Sequence, residues 1–415
     1  MAKIPLTYKI VSHILQASER KLLSINMHTY QRPLTLDLVL VDDPAINIAF
    51  LKKKYGILDR ILSGQENAIL YPAARMSQIA ARLLRKIGVK IIAFGDSSAT
   101  LWGKKIDGIT ILSPDQIIKF HRNTPILSAS TVYDSVIREN LEQRGCTIVI
   151  PVGYLNYRLP EIFISREYGG AFDAVNNKAN WKAINEAFTL LEDDESKKVF
   201  VSMLSYYISF QKHWLDNMRT ENSIYFDNSV YNLSSEEIVV DGGAYIGDTL
   251  ESFRLACNGR FRAYVAFEPN RNNFAKLAAK TADAIGIEIV PSGLSRHSGT
   301  VRFLTSSKNV DARVLGEDES GGDKVTVVSL DDFFTDRPSP TLIKMDIEGE
   351  ETDALLGASQ LLIRSAPKLA ISVYHYPTDI WNIPLLIKQI NPNYRIWLRH
   401  YSRDIDDTVC YGISD

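Results

Sequence analysis

The chain is poor in cysteine, in charge of one sign and in long apolar runs, and each shortage excludes something. Only three cysteines stand in 415 residues: Cys146, Cys257 and Cys410, far apart and never in a CxxC pair. That excludes a disulfide scaffold and a thiolate zinc site, and it fits a reducing compartment. Lys and Arg number 47 against 49 Asp and Glu, a formal net charge of −2. No basic excess draws the chain to nucleic acid or to an anionic membrane. No apolar run approaches the ~18 residues needed to cross a bilayer. The first thirty residues carry Lys3, Lys9, Glu19, Arg20 and Lys21, with no continuous apolar core of a secretory signal. A soluble, cytoplasmic protein is expected, without a transmembrane segment and without a nucleic-acid partner. The sequence leaves oligomeric state open, a homo-oligomer included.

What is present is ordinary for a globular protein: 45% hydrophobic and 23% charged residues. The length predicts two or three domains at about 150 residues each. Residues 1–24 carry the spacing of an amphipathic helix through Ile10, Val11, Ile14 and Leu15. Residues 35–41 (TLDLVLV) read as a strand, followed by a helix over 46–55. Strands are predicted at 67–71, 89–94, 125–128 and 147–151, with helices at 76–87 and 133–142 between them. Apolar strands alternating with helices argue for a parallel α/β sheet, here over residues 1–159. Residues 160–220 change to the helical period, with helices expected at 180–191 and 196–214. They read as a helical connector with Ser196 as an N-cap behind the acidic cluster 192–195. A second α/β pattern, residues 221–415, has strands at 237–241, 262–267, 288–291, 300–304, 324–329, 341–345, 368–373, 394–400 and 408–412. The loop 315–323 is polar and Gly-containing.

The strongest chemical signal is DGGAYIGDT over 241–249: an apolar strand ends in Asp241, a glycine turn follows, and a helix begins near Asp248. In open α/β sheets, ligands bind beyond the carboxyl ends of strands, where glycine lets the backbone approach. The spacing differs from the GxGxxG that seats a pyrophosphate. Carboxylates at Asp241 and Asp248 suit a cationic ligand better, and S-adenosylmethionine carries both an ammonium and a sulfonium. An ordinary Gly-rich turn is the bland alternative. The next strand ends in AFEPN (266–270), placing Glu268 where an acid can hold both ribose hydroxyls. A third element, VPSGLS (290–295), brings Ser292 to the end of the following strand, either to line an adenine or as a hairpin turn.

These motifs, with YFD (225–227), VSLDDF (328–333), IKMDIEGEE (343–351), ISVYH (371–375) and LRHYS (398–402), resemble the FkbM family of S-adenosylmethionine-dependent methyltransferases over roughly residues 221–415. The resemblance implies a class I methyltransferase fold, a seven-stranded sheet with an antiparallel final hairpin. It also implies methyl transfer to an oxygen, usually on a sugar or polyketide-type product. By matched position, Asp241 and Gly243 would line the methionine portion and Glu268 would hold the ribose; Ala244, Gly247, Asp248, Pro269 and Asn270 complete the candidate cofactor set.

Strand 341–345 is expected beside the Asp241 strand, so Asp346 emerges facing the transferred methyl, among Lys344, Glu348 and Glu351. Asp346 is read as a polar wall, base or metal ligand, while Glu350 reads as an acidic first-turn residue. These carboxylates are compatible with Mg²⁺, but no metal is expected. Methyl transfer to a hydroxyl needs a proton acceptor, and a histidine near pKa ~6.5 can serve at neutral pH. His375 is the first candidate and His400 the second; either could instead hydrogen-bond a substrate or a neighbouring loop. Tyr225 and Trp381 could pack the core or close over the site.

In the first α/β region, residues 68–78 (AILYPAARMSQ) occupy the place of a Rossmann phosphate loop, and Phe94-Gly95-Asp96 resembles the acidic end of its second strand. No glycine lies within 71–78, which hinders approach to a diphosphate. A structural or substrate-presenting domain is expected there, a degenerate Rossmann-like one. The whole reading is an O-methyltransferase acting on a hydroxyl of a glycan or glycan precursor. The alternatives are a non-catalytic binder of a nucleotide-linked sugar, or a nucleotide-dependent sugar oxidoreductase or epimerase working through the first domain.

Overall fold

The computed structural model describes residues 36, 39–40, 44–304, 313–314 and 323–414. The expected helix over 1–24 and most of the polar loop 315–323 lie outside the described residues. The described chain divides into two compact units, one within Met1–Trp181, Val201–Met218 and Arg403–Asp406, the other within Lys182–Phe200, Arg219–Ser402 and Asp407–Asp415.

In the first unit, β1 (Asn67–Tyr71), β2 (Lys90–Gly95), β3 (Lys105–Ile106), β4 (Ile109–Leu112), β5 (Ile126–Ser128) and β6 (Val149–Ile150) form one sheet in the order β3-β4-β2-β1-β5-β6. The strands are parallel apart from the β3–β4 hairpin. Helices Arg75–Lys86, Pro114–His121 and Asp134–Gln143 cross between strands, and Ile69, Ile117, Ile126 and Leu141 meet in the core. This is the Rossmann-like α/β domain expected. The strand expected over 35–41 is absent among its described residues. The amides of Val39 and Leu40 both donate to the Leu36 carbonyl, closing a tight turn. Leu36 and Val39 are buried three residues apart, a helical spacing that the apolar run concealed.

The second unit holds β7 (Ile238–Gly242), β8 (Ala263–Phe267), β9 (Ile287–Val290), β10 (Gly293–Leu294), β11 (Gly299–Leu304), β12 (Arg313–Val314), β13 (Asp323–Val328), β14 (Leu342–Met345), β15 (Lys368–Ser372), β16 (Arg395–His400) and β17 (Thr408–Ile413). Seven of them make a sheet in the order β16-β17-β15-β14-β7-β8-β9. It is parallel except for β17, which runs antiparallel to both β15 and β16. That is a class I methyltransferase sheet, with the antiparallel final hairpin the resemblance implied. The strand order reverses between β7 and β14, so a crevice opens over their carboxyl ends. A four-stranded sheet, β10-β13-β11-β12, stands beside it. Val239, Leu250, Phe253, Tyr264, Leu277 and Leu342 pack the central core.

The helix over Asp194–Ser209 starts two residues earlier than the sequence suggested. Asp193, not Ser196, accepts at its start: the Ser196 amide donates to Asp193 Oδ1 at 2.8 Å. A carboxylate three residues ahead of a free amide is an N-cap with the charge the helix dipole favours.

Candidate active site at the carboxyl edge of the seven-stranded sheet

The registers of β7 and β14 place Lys344 directly opposite Asp241. Both are fully inside the protein, with Lys344 Nζ 2.9 Å from Asp241 Oδ1, and the Tyr264 hydroxyl donates to Oδ2 at 2.5 Å. Lys344 also donates to the carbonyls of Gly242 and Gly243, both at 3.0 Å. Burial opposes its charge, but Asp241 and Asp346 outweigh it and hold the ammonium above the ordinary lysine range. The pair therefore pins the start of the glycine turn. At Gly243, φ is +75°, and a Cβ there would lie 1.9 Å from the Asp346 carbonyl oxygen. Only glycine lets these two loops cross. The amides of Gly243 and Ala244 both donate to the Phe267 carbonyl at 3.0 Å, and Gly247, with φ +84°, starts the helix Asp248–Ala256.

Glu268 leaves the end of β8 only 5% exposed. One carboxylate oxygen accepts the Tyr245 amide at 2.9 Å and the other the Asn270 amide at 2.7 Å. Burial pushes its carboxyl up to about 7, against the pull of those amides and of Lys344. Each oxygen keeps a second lone pair, so the carboxylate can still accept from a ligand. Asn270 caps the helix Arg271–Thr281 through its side chain.

Beyond β14, Asp346 accepts the hydroxyls of Tyr225 and Tyr374 at 2.8 and 2.9 Å. Burial alone would raise its pKa; His375 and Lys344 reverse that and hold it below the usual carboxylate range. His375, after β15, is 2% exposed. Its Nε2 lies 3.4 Å from Asp346 and 4.0 Å from Glu348, and its Nδ1 lies 3.1 Å from Glu351. Burial disfavours the imidazolium, but Glu351, Asp346 and Glu348 prevail and carry its pKa to about 10. At neutral pH this ring is already protonated and has no lone pair for an acceptor's proton.

A cavity of about 450 Å³ opens here, lined by Gly243, Asp248, Glu268, Pro269, Asn270 and Asp346 of the predicted set. Asp241, Ala244, Gly247, Ser292, His375 and His400 are not among its lining residues. Gly293 and Leu294 line it in place of Ser292, whose amide turns back to the Val290 carbonyl. His400 is wholly buried, 2.8 Å from its cross-strand partner Thr408. Trp381 is a core residue, whereas Tyr225 reaches the cavity. Glu350, read as a helix-start acid, also lines it. Four lining residues other than glycine have a left-handed backbone: Tyr225, Tyr245, Glu348 and Asp407. Strain of about 1–3 kcal/mol apiece is tolerated where the surroundings impose it, typically at working sites.

Reasoning from sequence missed Tyr245, Tyr374 and Asp407. Asp407 sits ahead of β17 in the final hairpin; burial, then the charge of Asp346, pushes its carboxyl up to about 6. Nothing in the last of three aspartates (Asp404, Asp406 and Asp407) before a strand announces this. In the first unit, Asp96 accepts the Ala73 and Ser98 amides at 2.9 and 2.8 Å. A donor in the loop after β1 is thus satisfied by a carboxylate from the end of β2, where a phosphate would approach in a dinucleotide fold.

The fold and crevice define a class I methyltransferase. Residues 241–405 match the Methyltransferase FkbM domain. A solved structure of methyltransferase FkbM from Methylobacillus flagellatus KT superposes with a TM-score of 0.67 and 22% identity, covering 97% of this chain and 99% of that one. The hexuronic acid methyltransferase AglP of Haloferax volcanii is 29% identical over 122 residues, 28% of this chain and 49% of that protein. The chain thus spans about half the length of the curated relative it matches. No helix among the described residues is long and apolar enough to cross a membrane.

Proposed function

We propose that the cavity binds S-adenosylmethionine and that the enzyme transfers its methyl group to a hydroxyl of a glycan or glycan precursor. The carrying observation is the cavity's charge: Asp248, Glu268, Asp346, Glu348, Glu350 and Asp407 face it, while the one lysine of its lining, Lys344, is paired with Asp241. Such a wall fits a ligand with an ammonium and a sulfonium and repels a diphosphate. The second lone pairs of the Glu268 carboxylate oxygens fit the same ligand. When bound, S-adenosylmethionine supplies a methyl carbon to which an acceptor oxygen bonds while the C–S electron pair returns to sulfur.

This chain's residues then have distinct tasks. Glu268 holds the ribose hydroxyls. Asp241 acts through Lys344, fixing the turn that Gly243 and Ala244 form. Asp346, kept ionised by two tyrosine hydroxyls and His375, faces the methyl end. Asp407 takes the hydroxyl proton, since a carboxyl poised near 6 is ionised at neutral pH yet basic enough to accept it. Alignment of acceptor and methyl carries much of the rate. A sugar acceptor is supported by the likeness to a protein named for a hexuronic acid.

Calorimetric titration of S-adenosylhomocysteine into the wild type and Glu268→Gln tests the reading, with NAD⁺ and a nucleotide-sugar as controls. Binding to the wild type, weakened roughly tenfold or more in the variant, is expected from the loss of charged hydrogen bonds. Absence of binding to the wild type, with the nucleotide-sugar bound instead, overturns it in favour of a sugar-nucleotide protein.

A further inference from the structure

Behind Asp346, two almost fully buried side chains face each other: Oε2 of Glu351 has no hydrogen-bond partner, and Nδ1 of His375 has only the Glu351 carboxylate, 3.1 Å away. Such atoms in a protein interior call for a water or an ion that satisfies them. Together with Asp346, these residues offer one ligand atom each, all within 4.8 Å of one another. The set is held in place from outside. The Ile347 amide fixes Glu351 at 2.8 Å, and Tyr225 and Tyr374 fix Asp346. Contacts of that kind orient metal ligands in established sites. Asp346 and Glu348 also line the cavity, so an ion among these groups would keep an open side toward it.

We propose that Asp346, Glu351 and His375 hold one divalent transition-metal ion at the cavity floor, with Glu348 at its open side; the ion takes the place of the proton that the metal-free imidazolium carries, which is released to solvent. An imidazole nitrogen among carboxylates selects ions such as Mn²⁺, Fe²⁺ or Zn²⁺; Mg²⁺ prefers an all-oxygen shell that keeps several waters. The ion's free positions would bind oxygens of the acceptor and favour the ionised hydroxyl. That role rests on the methyl-transfer reading, whereas the binding of the ion does not.

The test is titration of Mn²⁺ into the full chain after dialysis against chelator, followed by electron paramagnetic resonance and calorimetry. One equivalent is expected to bind, to be displaced by Zn²⁺, and to be lost in Asp346→Asn. Glu351→Gln, which keeps the shape of the side chain, weakens it roughly tenfold or more. Thermal melting of each variant establishes that it is folded. A wild type that binds neither Mn²⁺ nor Zn²⁺ overturns the site, leaving an ion-paired imidazolium; so does binding that both variants retain. S-adenosylhomocysteine is titrated into the same metal-free protein. Nucleoside binding without metal binding sinks the metal site alone, and metal binding without nucleoside binding sinks the methyl-transfer reading alone.

Discussion

At the scale of single residues, the site separates charges that must stay from one that can change. Lys344 and Asp346 are locked ionised by their neighbours, and His375 is held protonated as long as no metal ion replaces its proton. Asp407 is different: its carboxyl sits near 6 because burial and the Asp346 carboxylate oppose its charge. Tyr225 before β7, Asp346 after β14, and Tyr374 and His375 after β15 are the groups that feel it. A carboxylate that accepts a proton works in its ionised form, so kcat of the wild type rises with pH through about 6 and levels off above it. The substitution Asp407→Asn removes that rise and lowers kcat by on the order of a hundredfold, while S-adenosylhomocysteine affinity, which needs no proton transfer, stays close to that of the wild type. A pH–rate series on a uronic-acid-containing acceptor, run beside a binding titration, checks both. Undiminished kcat in the Asp407→Asn variant would remove the residue from the reaction.

At the scale of elements, the decisive contact is between two loops. The Gly243 turn and the Asp346 loop cross so closely that a single added carbon would overlap a carbonyl oxygen, at a positive φ besides. Gly243→Ala is therefore expected to cost about 1–3 kcal/mol from backbone strain alone, with more from the clash, and to abolish nucleoside binding. Gly259→Ala shares a positive φ but meets nothing within 4 Å; it should lose stability yet keep binding. Urea denaturation and a binding titration of the pair separate strain from site geometry. The elements themselves were largely legible. All nine strands expected between residues 237 and 412 are present, each within about two residues, because strands covered on both faces are buried along their length and read as short apolar runs. Short strands such as β10 and β12 were not legible, since two residues carry no period. The run 35–41 reads as a strand because its apolar residues are almost continuous, which hides the spacing by which the amides of Val39 and Leu40 reach the Leu36 carbonyl. The cavity acids Asp248, Glu268 and Asp346, and Asp241 beneath them, could be found because each closes a strand or opens a helix beside a glycine turn. Tyr374 and Asp407 could not, because the contact of Tyr374 with Asp346 and the place of Asp407 at the cavity depend on which strand ends the sheet order brings together.

At the scale of the whole molecule, the two α/β units differ in what their first strand-to-helix turns can receive. In the unit built on β7, the turn is glycine-rich, its anchoring lysine is paired internally, and acids face the open space. In the unit built on β1, the turn has no glycine, and Asp96 already occupies the Ala73 amide. A carboxylate in that position both removes a donor and repels phosphate. The first unit should therefore bind neither NAD⁺ nor a nucleotide-sugar through this turn. Hydrogen exchange offers a direct comparison, because slowed exchange reports backbone groups that a ligand stabilises. With S-adenosylhomocysteine bound, amides in residues 241–249, 266–270 and 343–351 are expected to exchange more slowly, and those in 71–78 and 94–98 to stay as they were. With a nucleotide-sugar in its place, neither group should change. Protection confined to 71–78 and 94–98 by the nucleotide-sugar would move the ligand-binding centre to the first unit. Protection of 241–249 by S-adenosylhomocysteine alone would leave the first unit a different task, one that its turn does not perform through phosphate.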